Sequence, residues 1–232
     1  MTICQQLYLG RFSASLLGCA CLGTSLVRAQ VGESVPLGDW AIDRTEVTIG
    51  QYAEFLRALD SGSSATAFDH PDQPKTKTEH TPPKWTDTYA AARAGATFNG
   101  QPISLNTPIT QVDWWDAYAY AKWKGRSLPT EAQWEWAARA GASALPQQHD
   151  QPASANTWQG IFPMANSAED GFAGLAPVGC YGANAWGLFD MIGNVWELTA
   201  DRYTERHGAQ DNIPPDQPPV AQRPGADPVR HV

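Results

Sequence analysis

"GLFDMIGNVWEL", Gly187 to Leu198, holds two acids, two glycines, an asparagine and a tryptophan within twelve residues. Glycine inside a helix costs about 1 kcal/mol against alanine, and inside a strand it leaves nothing to pack. The stretch therefore reads as a loop that presents Asp190 and Glu197 with Gly193 and Asn194 between them. Taken alone, a pair of ordinary Asx and glycine turns accounts for it. What the loop serves depends on the elements around it.

The chain has 232 residues, enough for one large domain or two small ones. Its ten tryptophans imply a core or clefts built from large rings. A net charge of −8 argues against a broad nucleic-acid surface, and an acidic surface rich in oxygen donors suits hard cations. At the N-terminus Arg11 precedes an apolar, small-residue run, Phe12 to Val27, and then Val27-Arg28-Ala29. That grammar predicts a secretory signal over residues 1–29, cut after Ala29, and an exported domain, periplasmic or secreted, over 30–232. "LLGC", Leu16 to Cys19, leaves a lipid anchor on Cys19 as one alternative, and a misassigned start as another. No later segment is long and apolar enough to span a bilayer. Cleavage would remove Cys4, Cys19 and Cys21 and leave Cys180 alone, without a disulfide framework. Nothing basic flanks "PVGCYG", which predicts a buried, apolar Cys180.

Three segments carry helix grammar, near residues 48–60, 113–124 and 130–140. Thr48 with Gln51, and Thr130 with Gln133, form capping boxes; Asp113 caps the middle helix and Gly125 stops it. Tyr52, Phe55, Leu56 and Leu59 make one apolar face; Trp114, Ala117, Tyr118 and Ala121 make a second; Trp134, Ala137 and Ala138 make a third. Phe55, Trp114, Tyr118, Trp134 and Trp196 are accordingly expected to be buried. Most of the rest is loop, including two proline-rich stretches, His70–Trp85 and His207–Pro228. "VRHV" at the end resembles a strand beginning, so either the C-terminal part of the domain is missing or the tail frays. Asp43 and Glu46 are expected to fix the approach to the first helix rather than to act as an acid–base pair.

"DRTEVTIGQYAEFL", "PITQVDWWDAYAYAKWKGRSLPTEAQWEWAARAG", "NTWQGIFPMANSAEDGF" and "GLFDMIGNVWELTADRY" together resemble the formylglycine-generating enzyme, or sulfatase-modifying factor, family over about Trp40 to Tyr203. The resemblance implies an α+β, loop-rich single domain of a variant C-type-lectin-like kind, tied partly by calcium. One implied calcium site takes the Asn156 side chain, the Thr157 carbonyl, the Asp170 carboxylate and the Phe172 carbonyl. The other takes Asp190, where the family often has Asn, the carbonyls of Gly193 and Val195, and Glu197. The donor types suit calcium, which accepts carboxylate, amide and backbone oxygens alike at about 2.3–2.6 Å.

The resemblance also implies an oxidase that converts a cysteine of a sulfatase-type protein or peptide substrate to formylglycine, using oxygen and copper held by paired thiolates. That pair is expected beyond residue 232, so no catalytic residue is assigned here. Ala121 stands where many enzymes of the family have Cys, which weakens the catalytic reading. The alternative is a non-catalytic exported binding or structural module. An iron-dependent sulfoxide synthase would need clustered histidines, and the five here are scattered. There is no G-x-S-x-G, Walker, G-x-G-x-x-G or C-x-x-C motif.

Overall fold

The computed structural model describes residues 3–4, 8–9, 31–62, 66–142 and 154–201. The proline-rich stretch from His207, the "VRHV" end and the candidate anchor Cys19 lie outside them, as does most of the expected signal. Within the latter, strands β1 (Ile3–Cys4) and β2 (Tyr8–Leu9) are described. The chain mixes helices with small sheets. Strands β3 (Ser34–Leu37) and β4 (Trp40–Asp43) form an antiparallel hairpin, and β2 pairs β4 on its other side. Helix α1 (Ile49–Asp60) follows, then α2 (Trp85–Ala94) and the hairpin of β5 (Thr97–Phe98) with β6 (Gln101–Pro102). Next come α3 (Trp114–Trp123), β7 (Arg126–Ser127), which pairs β2, and α4 (Glu131–Arg139). The hairpin of β8 (Gly160–Ile161) with β9 (Ala165–Asn166) precedes β10 (Trp196–Glu197), which runs parallel to β1.

The three expected helices lie within a residue or two of their predicted bounds because their signals are local. Thr48 and Thr130 accept the amide of their N3 residue while the N3 glutamine accepts theirs. Asp113 does the same with Asp116. Helix α2 was not foreseen: its N-cap, Lys84, is left-handed with no side-chain cap, and only Gly95 marks its end. The β5–β6 hairpin turns on Asn99 and Gly100, both at positive φ, as a two-residue Asn-Gly connection requires.

Two apolar clusters form the interior. In one, Tyr120 of α3 stacks on Tyr52 of α1 at 5.5 Å and meets Phe55 edge-on at 5.7 Å. Alanines 117, 119 and 121, all buried, let α3 approach this closely. The buried face of α3 is thus centred on Tyr120, not on Tyr118 as its spacing suggested. Tyr118 stacks on Trp114 at the flank, where both are half-buried. In the second cluster Val35, Leu37, Trp40 and Ile42 of the sheet pack on Ala137 and Ala138 of α4, with Trp134, Trp136 and Trp186 at its margin.

Loop 69–80 is fastened to α3 by an ionic knot centred on buried His80 and Asp116. His80 stands between Asp116 and Asp69, each 3.0 Å away, and Lys77 bridges Asp113 and Asp116 at 2.9 and 2.7 Å. The Tyr52 hydroxyl donates to the His80 carbonyl at 2.8 Å. Burial pulls the His80 pKa down, but its hydrogen bonds to Asp116 and Asp69 outweigh this and hold it above the ordinary value of 6.5. The stability that this lends is full below pH 6.5 and is lost as pH rises through the folded pKa. In urea denaturation, His80→Gln should cost about 3 kcal/mol near pH 6, and the gap to wild type should narrow at alkaline pH. A gap independent of pH would show that His80 contributes by packing alone.

Candidate functional site

The loop 187–198 lies between the two clusters and belongs to both. Leu188 and Met191 are buried in the sheet–α4 cluster, and Val195 and Leu198 in the α1–α3 cluster. At its centre the Asn194 side chain uses all four of its hydrogen-bonding positions. It donates to Glu46 Oε2 at 2.8 Å and to the Ala176 carbonyl at 3.2 Å. It accepts from Asn156 Nδ2 at 2.8 Å and from the Ala176 amide at 3.0 Å. The Asn194 amide also donates to the Asn156 carbonyl at 2.8 Å. Gly193 sits at φ 79° against Asn156, where a Cβ would overlap the Asn156 carbonyl oxygen. Glycine is therefore a steric requirement at this crossing.

Three acids gather beside this hub. Glu46, fully buried, has its Oε1 without a hydrogen-bond partner. Burial first, then the Asp190 and Glu197 carboxylates, push its pKa well above the usual carboxylate range; Asn194 and the Val195 amide offset this only in part. Asp190, left-handed at φ 54°, accepts the Gly179 amide at 2.6 Å, yet burial raises its pKa to about 6. Glu197 accepts the Trp134 indole N–H at 2.8 Å. Glu46 was expected to shape the approach to α1; it faces this loop instead, while Thr48 shapes the helix start. Asp43 pairs with Arg126. Only the hydropathy pattern hinted at Glu46: it stands between Thr45 and Val47 in a run buried from Trp40 to Ile49, Arg44 excepted.

The other expected group is partly assembled. The Asp170 carboxylate accepts the amides of Thr157 at 2.9 Å and Phe172 at 3.0 Å, and the Gln159 side chain at 3.1 Å. Thr157 and Phe172 thus present N–H groups, rather than carbonyls, to Asp170. The Asn156 amide turns away, donating to the Gly174 carbonyl at 2.6 Å and to Asn194. Among the described residues no cluster of three or more His, Cys, Asp or Glu side chains has metal-binding geometry. The expected sites depend instead on backbone oxygens.

The donor set around Glu46, Asp190 and Glu197 fits a hard cation: oxygens only, an unpartnered buried carboxylate oxygen, and mutual repulsion that a positive charge would relieve. Cys180 is a free thiol, and burial, then the Asp190 charge, raise its pKa, against thiolate formation. Cys180 is also exposed rather than buried as expected. The chain turns at Gly179, φ 71°, whose amide is held by Asp190, and this carries Cys180 to the surface. Trp196 likewise departs from expectation, at 66% exposed: β10 alternates, and with Val195 turned inward Trp196 points out.

Residues 18–226 match the sulfatase-modifying factor enzyme 1-like domain, and the chain belongs to this family. It is 45% identical to the formylglycine-generating enzyme of Bos taurus over 118 residues, 48% of this chain and 32% of that protein. It is 36% identical to the inactive C-alpha-formylglycine-generating enzyme 2 of Mus musculus over 202 residues, 78% of this chain and 66% of that protein. The match thus spans about a third of the bovine relative. The structure of PvdO from Pseudomonas aeruginosa aligns over 87% of this chain and 69% of its own, at 24% identity and a TM-score of 0.49. No helix among the described residues is long and apolar enough to cross a membrane.

Two outcomes test this geometry. Asn194→Asp replaces two donors by a carboxylate facing Glu46, and should destabilise the fold by about 3 kcal/mol or more in chemical denaturation. Asp190 binds its proton more tightly folded than unfolded, so the stability it lends is full below pH 3.8 and is lost as pH rises through about 6. In EDTA, Asp190→Asn should therefore exceed wild type by about 1–3 kcal/mol at neutral pH and match it in acid.

Proposed function

We propose that this chain is a formylglycine-generating-enzyme-like domain whose loop 187–198 is tied by calcium. The observation that carries the calcium reading is the buried, unpartnered Glu46 oxygen beside Asp190 and Glu197. Asp190, Glu197 and the carbonyls of Gly193 and Val195 would hold one ion, with Glu46 supplying charge behind them. Asn156, Thr157, Asp170 and Phe172 would hold a second after their loop turns its carbonyls inward. Calcium would supply charge neutralisation and a cross-link between loops, with no part in bond making. The few helices, small sheets and long ordered loops also support the variant C-type-lectin-like description of the fold.

In this reading the described residues form the scaffold. The whole protein oxidises a cysteine in a sulfatase-type polypeptide, with copper chemistry residing in thiolates other than Cys180. The basic, then apolar, then small-residue order of residues 11–29 supports export. A second reading, a non-catalytic member of the same family, rests on the match to the inactive mouse relative over 78% of this chain, beside which the formylglycine-generating enzyme of Streptomyces coelicolor matches over 76%. An oxidation assay on a sulfatase-type cysteine peptide, with copper supplied to the full-length protein, separates the two. Formation of the aldehyde supports the oxidase, and its absence from copper-loaded protein supports the second reading.

The calcium reading is tested apart from catalysis. An ion that binds only the folded state adds about 2.7 kcal/mol at a hundredfold excess over its Kd. Excess calcium should raise Tm and EDTA should lower it. Glu197→Gln should lose part of the shift and Asp170→Asn another part. A Tm indifferent to both reagents would remove calcium from the description.

A further inference from the structure

Three large apolar side chains stand in water at the tip of the β8–β9 hairpin. Ile161, Phe162 and Met164 are 69%, 75% and 85% exposed, the highest values for large apolar side chains among the described residues. Pro163 completes the turn between them. From Gln151 to Ala168 the sequence holds no Asp, Glu, Lys, Arg or His, although the chain carries a net charge of −8. The turn that presents these side chains is well tied. The Met164 amide donates to the Ile161 carbonyl at 2.7 Å, and the Ser167 amide to the Gln159 carbonyl at 2.8 Å. Gly160, at φ 104°, lets the two strands close, since a Cβ there would lie 2.6 Å from the Ala165 carbonyl oxygen. Trp158 braces Phe162 edge-on at 5.3 Å.

Single exposed apolar residues are ordinary, but three on one uncharged tip mark a contact surface. Size and shape decide its partner. The three side chains offer roughly 500 Å², short of the roughly 800 Å² per partner that a stable protein interface or dimer takes. A hairpin tip is also convex, so a protein partner would have to supply a matching hollow. A bilayer needs none, because its interface admits apolar side chains to a depth of about 5–10 Å. Two residue pairs of hairpin rise about 7 Å. One amide of the turn is already bonded and Pro163 has none, which lowers the cost of leaving water. Charge selects the lipid. Glu169, held by the Ser167 hydroxyl at 3.0 Å, follows the uncharged run, and an acidic chain is repelled by anionic headgroups. We propose that Ile161, Phe162 and Met164 insert into the interface of a zwitterionic bilayer and hold the domain against a membrane surface without spanning it. This role is separate from cysteine oxidation and holds whether or not the whole protein is an oxidase.

The test is cosedimentation of the full chain with phosphatidylcholine vesicles. Binding should persist in high salt, and it should weaken when phosphatidylglycerol is mixed in at low salt. Met164→Ser, at the most exposed of the three positions, should leave Tm unchanged and weaken partitioning by about tenfold. Phe162→Ser combined with Met164→Ser should weaken it by about a hundredfold. Leu105→Ser, an exposed apolar position on another loop, is the control and should change nothing. The apolar run from Phe12 to Val27 is present in every variant and contributes equally to each. Failure to sediment with phosphatidylcholine overturns the proposal. So does tighter binding to the anionic vesicles, or equal partitioning in Met164→Ser and the double variant. Self-association without lipid that the double variant abolishes also overturns it, and assigns the tip to a second copy of the chain.

Discussion

The carboxamide of Asn194 is the joint on which the two halves of the interior depend. It is bonded at every position, to Glu46 between β4 and α1, to Asn156, and twice to Ala176. Residues 148 apart in sequence are joined through one planar group. An amide does this better than an acid or a base because it offers two donors and two acceptors without net charge. The left-handed turn that places it, φ 57° at Asn194 after φ 79° at Gly193, is one that asparagine and glycine adopt most readily. Leu188 and Met191 on one side of this joint, and Val195 and Leu198 on the other, then drop into separate apolar clusters.

Charge inside this fold is handled in two ways. Around His80 it is balanced: Asp69 and Asp116 face the imidazole, and Lys77 adds a second cation to the Asp113–Asp116 pair. Around Glu46 it is one-sided, with three carboxylates and neutral donors only. The centres of both arrangements, His80 with Asp116 and Glu46 with Asp190, are buried, so they are screened less than a surface pair would be. The first stiffens a proline-rich loop that has no regular structure of its own. In the second, burial raises the pKa of both Glu46 and Asp190, and the Asp190 and Glu197 carboxylates push Glu46 further.

Membership of the sulfatase-modifying factor family was legible in four short blocks because their spacing, not any one of them, is specific. The helices α1, α3 and α4 were legible because Thr48, Asp113 and Thr130 each write a complete cap within four residues. Helix α2 was not, because it starts from a left-handed lysine with no capping side chain and shows little apolar periodicity. Gln133 was assigned to a cap correctly, but its deep burial was not foreseen, nor was the part that buried Asp116 takes in capping α3. Asp190 and Glu197 were singled out as acids in a glycine-broken loop. Glu46 was given to the approach to α1 instead of this loop because its partners lie about 150 residues away, beyond any local pattern.

The sequence by itself determined the local devices: three capped helices, the glycine-dependent turn at Gly193, and a family signature that names its relatives. Those depend on contacts within a few residues and on backbone angles that only particular side chains accept. Tertiary structure alone decided which faces those devices show. It turned Tyr120 rather than Tyr118 into the core, put Trp196 and Cys180 at the surface, and set Glu46 against Asp190 and Glu197. Each outcome depends on which distant segment arrives opposite, and burial is a property of the assembled neighbours rather than of the residue.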